Sequence, residues 1–249
     1  MPYLLAIDSG NTAIKWGLHN GSIWYAQGVI AQNQRVLLKQ IWQQLPTPSS
    51  IIVSNVAGPN AEAALLNFFV NWKAKAQWIS AAASQCGVRN NYSIPKQLGS
   101  DRWAALIAVW SMKRQGGLIV NVGTAMTVDA LSDQGEFLGG IILPGFDLMK
   151  QTLAKQTALL TSTEGCFQNF PSTTPNAIHS GVIHALTGAI DHMHTLLSDN
   201  LGRNTLDCII SGGGAALLLP HIRIPTIIVD NLVLEGLKII AQEQSEIVK

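Results

Sequence analysis

The sequence predicts an α/β protein made of two similar halves. Apolar segments of strand length alternate with amphipathic segments of helix length along the 249 residues. A strand–turn–strand element occurs twice, as LLAIDSGNTAIKWGL at residues 4–18 and as LIVNVGTAMTVDAL at residues 118–131. This repeat favours two duplicated domains, 1–115 and 116–249, with a cleft between them. The alternative is one doubly wound domain whose strands are alike by chance.

The first half is predicted to open with strands over residues 3–30, because apolar residues alternate with smaller or polar ones around Trp16. The later elements of this half are a helix over 34–45, a strand over 49–58, a helix over 60–74, a strand over 76–80, a polar loop over 89–100 and a helix over 101–116. We expect Asn60 to cap the second helix, and Gly116 and Gly117 to end the third.

The second half is predicted to repeat this order. Its elements are three strands within 117–145, helices over 146–159 and 175–199, a strand–glycine loop–helix segment over 206–219, a strand over 226–230 and a closing helix over 232–244.

Composition narrows the class of function. A net charge of +1 gives no electrostatic reason to expect nucleic acid or an anionic membrane as the main partner. No signal peptide and no apolar run of about 20 residues is evident, so we expect a cytoplasmic protein. The three cysteines are far apart, as is usual for free thiols in a reducing compartment. Only 12% of residues are charged, which a subunit interface or a large core would explain.

The first candidate site is the turn DSGNT, residues 8–12. Small residues at a strand end expose backbone N–H groups and can cradle phosphate oxygens. Asp8 could hold Mg²⁺ directly or through water, and Lys15 could add a positive charge. The alternative is an ordinary hairpin turn, because Asp, Gly and Asn are all turn formers.

Two further segments suit a nucleotide. VGTAMTVD, residues 122–129, repeats the small-residue turn and supplies hydroxyl groups from Thr124 and Thr127. SGGG, residues 211–214, lets the backbone approach a ligand closely, and a helix N-terminus behind it would favour anions; the alternative is a tight packing turn. No GxGxxG or GxxxxGK[ST] motif is present, which excludes Rossmann and P-loop sites.

The segment GSDR, residues 99–102, stands at a predicted loop-to-helix boundary. Asp101 is either a carboxylate that stabilises the helix start or a base for a substrate hydroxyl. Arg102 is either a surface charge or a fork for a carboxylate or phosphate.

Taken together, the segments IDSGNTAIKWGL, NYSIPKQLGSDRWAALIA, NVGTAMTVDAL, LGGIILPGFDLM, TPNAIHSG, SGGGAALL and DNLVLEGL resemble those of type III pantothenate kinases, in the same order and at the same spacing. This family, also called the Bvg accessory factor family, belongs to the actin/Hsp70/sugar-kinase superfamily. The resemblance implies two ribonuclease-H-like (actin-like ATPase) domains with an ATP cleft between them. It also implies a homodimer, and ATP- and Mg²⁺-dependent phosphorylation of pantothenate at its 4′-hydroxyl, the first step of coenzyme A biosynthesis.

The resemblance also assigns roles to residues. The ATP-binding positions are Asp8, Ser9, Gly10, Asn11, Thr12, Lys15, Thr124, Gly212, Gly213 and Gly214. The pantothenate-binding positions are Tyr92, Gly99, Ser100, Asp101, Arg102 and Thr174, with Asp101 as the general base and Thr174 reaching across the dimer.

One position departs from the family pattern. Many members have an Asp where Asn121 stands, and that Asp looks like a ligand for a monovalent cation such as K⁺ or NH₄⁺. Asn keeps an oxygen but loses the charge, so we expect weak or absent K⁺ dependence. The rival functions are a related sugar or small-alcohol kinase, an ATP-binding regulatory protein without catalysis, and a ribonuclease-H-like nuclease; the last is disfavoured by the near-neutral charge.

Overall fold

The structure is a computed structural model that describes residues 3–70, 72–157, 160, 164–203 and 206–247. It divides into two compact units, Met1–Arg114 with Asn231–Lys249, and Gln115–Asp230. The closing helix, which the sequence analysis included in a predicted domain 116–249, is grouped with the first unit.

The first unit contains a five-stranded sheet, the short antiparallel strands Ser84–Gln85 and Val88–Asn90, which lie outside that sheet, and helices. Its strands are β1 (Leu4–Ser9), β2 (Ala13–His19), β3 (Trp24–Ala31), β4 (Ser50–Asn55), β5 (Ala76–Trp78), β6 (Ser84–Gln85) and β7 (Val88–Asn90). Its helices are α1 (Leu38–Gln43), α2 (Pro59–Phe69), α3 (Ser100–Lys113) and α7 (Leu232–Ile247), with 3-10 turns at Gln32–Leu37 and Pro95–Gln97. The sheet order is β3-β2-β1-β4-β5, in which β1, β4 and β5 pair in parallel.

The second unit repeats this topology. Its strands are β8 (Gly117–Val122), β9 (Ala125–Leu131), β10 (Glu136–Pro144), β11 (Asp207–Ser211) and β12 (Thr226–Ile228). Its helices are α4 (Phe146–Gln156), α5 (Thr174–Leu201) and α6 (Ala215–Leu218), followed by a 3-10 turn at Leu219–His221. The strands lie in the order β10-β9-β8-β11-β12, which matches the first unit position by position. This match confirms the duplicated α/β fold. Among the described residues, the structure contains no helix with the length and apolar character needed to span a membrane.

Burial follows the sequence pattern in both units. The central strands β1, β4 and β8 are apolar along their length and buried, as expected for strands covered on both faces. The edge strand β3 exposes alternate residues, Tyr25, Gln27 and Val29. Helix α3 is buried from Arg102 to Val109, so it behaves as a core helix rather than an amphipathic surface one.

Three helix ends differ from the prediction. The helix predicted over 34–45 begins as a 3-10 turn and becomes α-helical only at Leu38. Asn60 was wrong as a cap, because Pro59 occupies the first turn and Gly58 precedes it. Helix α3 ends at Lys113, and Arg114 rather than a glycine takes the left-handed conformation that follows it.

The two glycines after α3 have another use. A Cβ at Gly116 would lie 2.6 Å from the carbonyl oxygen of Leu131, and a Cβ at Gly117 would lie 2.6 Å from that of Asp207. Gly116 and Gly117 allow the neighbouring backbone to come close at the start of β8. They therefore do not end α3 as predicted. The predicted helix over 146–159 ends at Gln156, and residues 158–159 lie outside the described residues.

Helices α3 and α7 pack against each other at a glycine. A Cβ added at Gly236 of α7 would collide with the backbone of α3 at Ala104. We therefore expect Gly236→Ala to lower the free energy of unfolding by about 1–3 kcal/mol, the usual cost of overpacking a core. Urea denaturation would measure it.

The matched control is Gly188→Ala, because Gly188 also lies within a helix and a Cβ there would meet nothing within 4 Å. It should raise the free energy of unfolding by about 0.5–1 kcal/mol, the ordinary gain of Ala over Gly in a helix. Equal stabilisation by both substitutions would contradict the close packing of α3 on α7.

Candidate active site

The segment DSGNT forms the end of β1 and the turn that leads into β2. The strands pair antiparallel with Asp8 opposite Lys15 and Ser9 opposite Ile14. The Gly10 N–H donates to the Ala13 carbonyl at 3.0 Å and closes the turn. Asn11 and Thr12 are exposed at its tip, whereas Asp8 and Ser9 are buried. The turn therefore offers polar groups to solvent and keeps one carboxylate out of water.

The GSDR segment forms the start of α3. Gly99 precedes the helix, and its carbonyl accepts the N–H of Trp103 at 3.0 Å. Asp101 Oδ1 accepts the backbone N–H of Arg102 at 2.8 Å. A Cβ at Gly99 would lie only 2.6 Å from that same Oδ1, so glycine is needed for the carboxylate to take this position.

Arg102 is buried, although the sequence left open a surface position for it. Its side chain is 5% exposed. Its Nη1 donates to the Tyr92 hydroxyl at 3.3 Å, and its guanidinium carbon lies 5.9 Å from the centre of the Tyr92 ring. Tyr92 and Arg102, both predicted for acceptor binding, are thus in direct contact.

The start of α3 packs where β4 ends, next to the end of β1. The parallel register sets Asp8 beside Ser54, and the Ser54 and Ser100 hydroxyl oxygens are 2.8 Å apart in a buried hydrogen bond. Because Ser100 immediately precedes Asp101, this contact brings the two carboxylates into one site.

The proximity of the Asp8 and Asp101 carboxylates contributes to a raised pKa. The pKa of Asp8 is raised from 3.8 to about 7, first by burial and then by the Asp101 carboxylate, while Lys15 opposes the shift. The pKa of Asp101 is also raised, mainly by burial, and is held back by the N–H and the charge of Arg102. Two carboxylates with surplus negative charge and oxygen donors suit a hard divalent cation, so these residues fit Mg²⁺.

The second unit carries an uncharged version of the same turn. The Gly123 N–H donates to the Ala125 carbonyl at 3.0 Å, and the Thr124 carbonyl accepts the N–H of Gly145 at 2.8 Å. Gly123 and Thr124 are exposed. Asn121 pairs in register with Thr127, at the place where the first unit has Asp8 opposite Lys15.

The glycine loop packs directly on this turn. The Gly214 N–H donates to the Val122 carbonyl at 3.0 Å, and Gly212 has a φ of 100°. A Cβ at Gly212 would collide with the Val122 carbonyl and would lie 2.7 Å from Asn121 Oδ1. Gly213 is exposed and has open space around it. The helix behind the loop, α6, has only four residues, so the expected contribution of its N-terminus to anion binding is not supported.

Thr174 lies elsewhere in the second unit, at the first position of α5. It is exposed and borders an apolar groove of about 880 Å³. Helices α4 and α5 form the groove walls, with Met149, Leu153 and Ile178 among the lining residues.

The sequence patterns did not lead us to two residues near the first turn, Ser54 and Gln32. Ser54 could have been found, because polar residues at the carboxyl ends of parallel strands often border a site. Gln32 donates from Nε2 to the Gly10 carbonyl at 2.8 Å and to Ser9 Oγ at 3.1 Å. No sequence signal marks it, since it comes to the turn through the pairing of β2 with β3.

The profile of the type III pantothenate kinase family matches residues 4–196. The chain belongs to the type III pantothenate kinase family. A type III pantothenate kinase of Nitrosospira multiformis is 53% identical over 245 residues, which cover 98% of this chain and 93% of that protein. Another, from Nitrosomonas eutropha, is 56% identical and covers 96% of this chain and 95% of that protein. These relatives confirm the resemblance found in the sequence.

Solved structures show the same fold at low identity. A Baf family protein of Campylobacter jejuni has a TM-score of 0.62 at 21% identity, covering 97% of this chain and 99% of that one. MreB 5 of Spiroplasma citri, solved with AMPPNP, has a TM-score of 0.53 at 12% identity, covering 100% and 98%. The type III pantothenate kinase fold is therefore the two-domain, ribonuclease-H-like fold of actin-like ATPases and sugar kinases.

The raised pKa of Asp8 predicts a pH dependence of stability. The folded protein keeps the Asp8 proton up to about pH 7, whereas the unfolded chain loses it near 3.8. Nucleotide-free protein therefore loses stability as the pH rises between these values. Asp8→Asn should be more stable than wild type above pH 7, by a margin that shrinks toward pH 4.

Thermal unfolding of both proteins across this pH range would measure the margin. Asp199→Asn, at an exposed position of α5, is the control and should show no such trend. A stability difference between Asp8→Asn and wild type that is the same at every pH would contradict a raised pKa for the buried Asp8 carboxyl.

Proposed function

We propose that this kinase transfers the γ-phosphoryl group of ATP to the 4′-hydroxyl of pantothenate, the first step of coenzyme A biosynthesis. Membership of the family supports the reaction. The observation that carries the proposal is the proximity of the two motifs. Ser100, beside Asp101 at the start of α3, bonds to Ser54 of β4, and Ser54 pairs in register with Asp8 of β1.

Asp101 acts as the general base. Its Oδ1 is held by the Arg102 N–H, so the carboxylate has a fixed orientation before the acceptor arrives. Burial raises its pKa, which makes the ionised form a stronger proton acceptor than an exposed Asp. It takes the proton of the 4′-hydroxyl as the new O–P bond forms and the bond from the γ-phosphorus to the bridging oxygen breaks, which releases ADP. Phosphoryl transfer otherwise needs mainly positioning and charge neutralisation.

Arg102 and Tyr92 bind and orient pantothenate. Arg102 is buried and bonds to the Tyr92 hydroxyl, and a guanidinium is the side chain best shaped to pair with a carboxylate, of which pantothenate carries one. Gly99 and Ser100 hold the segment in place, Gly99 by leaving room for Asp101 and Ser100 through its bond to Ser54.

The phosphate turns bind ATP. Residues 8–12 and Lys15 contact the phosphates in the first unit, and Thr124 with the glycines at 212–214 contact the nucleotide in the second. Asp8 would hold Mg²⁺, directly or through water, and the ion would neutralise phosphate charge. A cation at Asp8 would also offset the burial and the Asp101 charge, which raise the pKa of this carboxyl.

Asn121 leaves the monovalent cation site weakened. Its Oδ1 lies near Gly212, so an oxygen is available beside the glycine loop, but it carries no formal charge. We propose that K⁺ or NH₄⁺ contributes little to this enzyme.

The enzyme acts as a cytoplasmic homodimer. The apolar groove beside Thr174, together with the low charge of the chain, supports a subunit contact on this face. Thr174 then completes the acceptor pocket of the partner subunit. The cysteines Cys86, Cys166 and Cys208 are free, which suits a reducing compartment.

The substitution Asp101→Asn tests the proposed reaction. It keeps the size of the side chain and removes the base, so kcat for ATP and pantothenate should fall at least about a hundredfold. Asp147→Asn is the control, because Asp147 is an exposed carboxylate in the first turn of α4, and it should keep wild-type activity. A wild type that binds ATP but gives no phosphopantothenate would favour the regulatory alternative.

The cation proposal makes a separate prediction. Wild-type rates in matched Na⁺, K⁺ and NH₄⁺ buffers should agree within about twofold, whereas Asn121→Asp should gain activation by K⁺ because it restores a formal charge to the site. Strong K⁺ activation of the wild type would overturn the interpretation of Asn121.

A further inference from the structure

Gln32 lies beside the first phosphate turn because of strand pairing. Strand β3 ends at Ala31, which pairs with Ala13 of β2. The next residue, Gln32, therefore reaches the end of the turn, where its backbone N–H donates to the Thr12 carbonyl at 2.9 Å.

The Gln32 side chain reaches the other end of the same turn. Its Nε2 donates to the Gly10 carbonyl at 2.8 Å and to Ser9 Oγ at 3.1 Å. The orientation of the amide is determined by chemistry, because a carbonyl oxygen can only accept and so requires the nitrogen to face it. One residue thus holds three of the five residues of the segment 8–12.

The remaining amide atom is less well satisfied. Gln32 Oε1 is buried, and no donor among the described residues reaches it. A buried acceptor without a donor is unfavourable for folding, so stability alone does not account for an amide at this position.

We propose that Gln32 is a positioning residue for ATP. It holds the Gly10 carbonyl and the Ser9 hydroxyl in place, so that the N–H groups and polar side chains of residues 8–12 face the phosphates before ATP binds. A turn held in its bound conformation avoids the entropic cost of ordering on binding. This inference rests on the proposed function, because it assigns the turn to the phosphates of ATP.

The test replaces the amide with an apolar side chain of similar shape, Gln32→Met. Loss of two hydrogen bonds to the turn should raise the ATP dissociation constant and the KM for ATP about tenfold. The KM for pantothenate and the melting temperature should stay near wild type, since the change removes an unpaired buried acceptor together with the two bonds. Gln32→Glu, which turns an oxygen toward the Gly10 carbonyl and adds a negative charge near Asp8, should weaken ATP binding further.

The matched control is Gln27→Met, at an exposed glutamine of β3, which should leave all constants unchanged. An unchanged ATP dissociation constant in Gln32→Met would overturn the inference. So would an equal rise in both KM values accompanied by a fall in melting temperature, because that result indicates a purely structural role. Equilibrium titration with ATP separates this inference from the proposed function: ATP binding that depends on Gln32, without turnover of pantothenate, would support the inference and reject the function.

Discussion

Burial of the Asp8 carboxylate is the constraint on which the rest of the candidate site depends. Strand β1 is central in its sheet, with β2 on one side and β4 on the other, so a charged residue at its end is shielded from water. Lys15, which faces Asp8 across the hairpin, offsets only part of that cost, and the nearby Asp101 adds to it. A divalent cation would offset both effects and favour the ionised carboxylate, so the site suits a cation that accompanies a polyphosphate.

Neutral groups hold the charged ones in place. The Ser54–Ser100 hydroxyl pair joins the sheet to the start of α3, the missing Cβ of Gly99 leaves room for Asp101, and Tyr92 bonds to the buried Arg102. Short polar side chains and glycine can do this because they add hydrogen bonds or space without adding charge. The residues proposed for catalysis and binding are therefore positioned by the packing of one helix start on the ends of β1 and β4.

The two units have the same sheet topology but differ in the charges at their hairpin turns. Their sheets have the same strand order, and both hairpin turns close with a glycine N–H. At equivalent register positions, however, the first unit has Asp8 opposite Lys15 and the second has Asn121 opposite Thr127. The turn of the second unit keeps the backbone shape and lacks the charges. Its contact with the glycine loop is made through backbone groups.

Local sequence patterns were enough to predict much of the fold. Period-two alternation, continuous apolar runs and small-residue turns were enough to predict the duplication and the strands shared by the two matching sheets, but not the short strands β6 and β7. Helix ends were predicted less well, because Gly116 and Gly117 were needed for close strand approach and Arg114 took the left-handed position after α3. What only the tertiary structure decided is which distant residues share a site. The membership of α7 in the first unit, the Ser54–Ser100 contact and the reach of Gln32 to Ser9 and Gly10 all depend on sheet register and helix packing. These contacts join residues far apart in the chain, so local periodicity does not predict them.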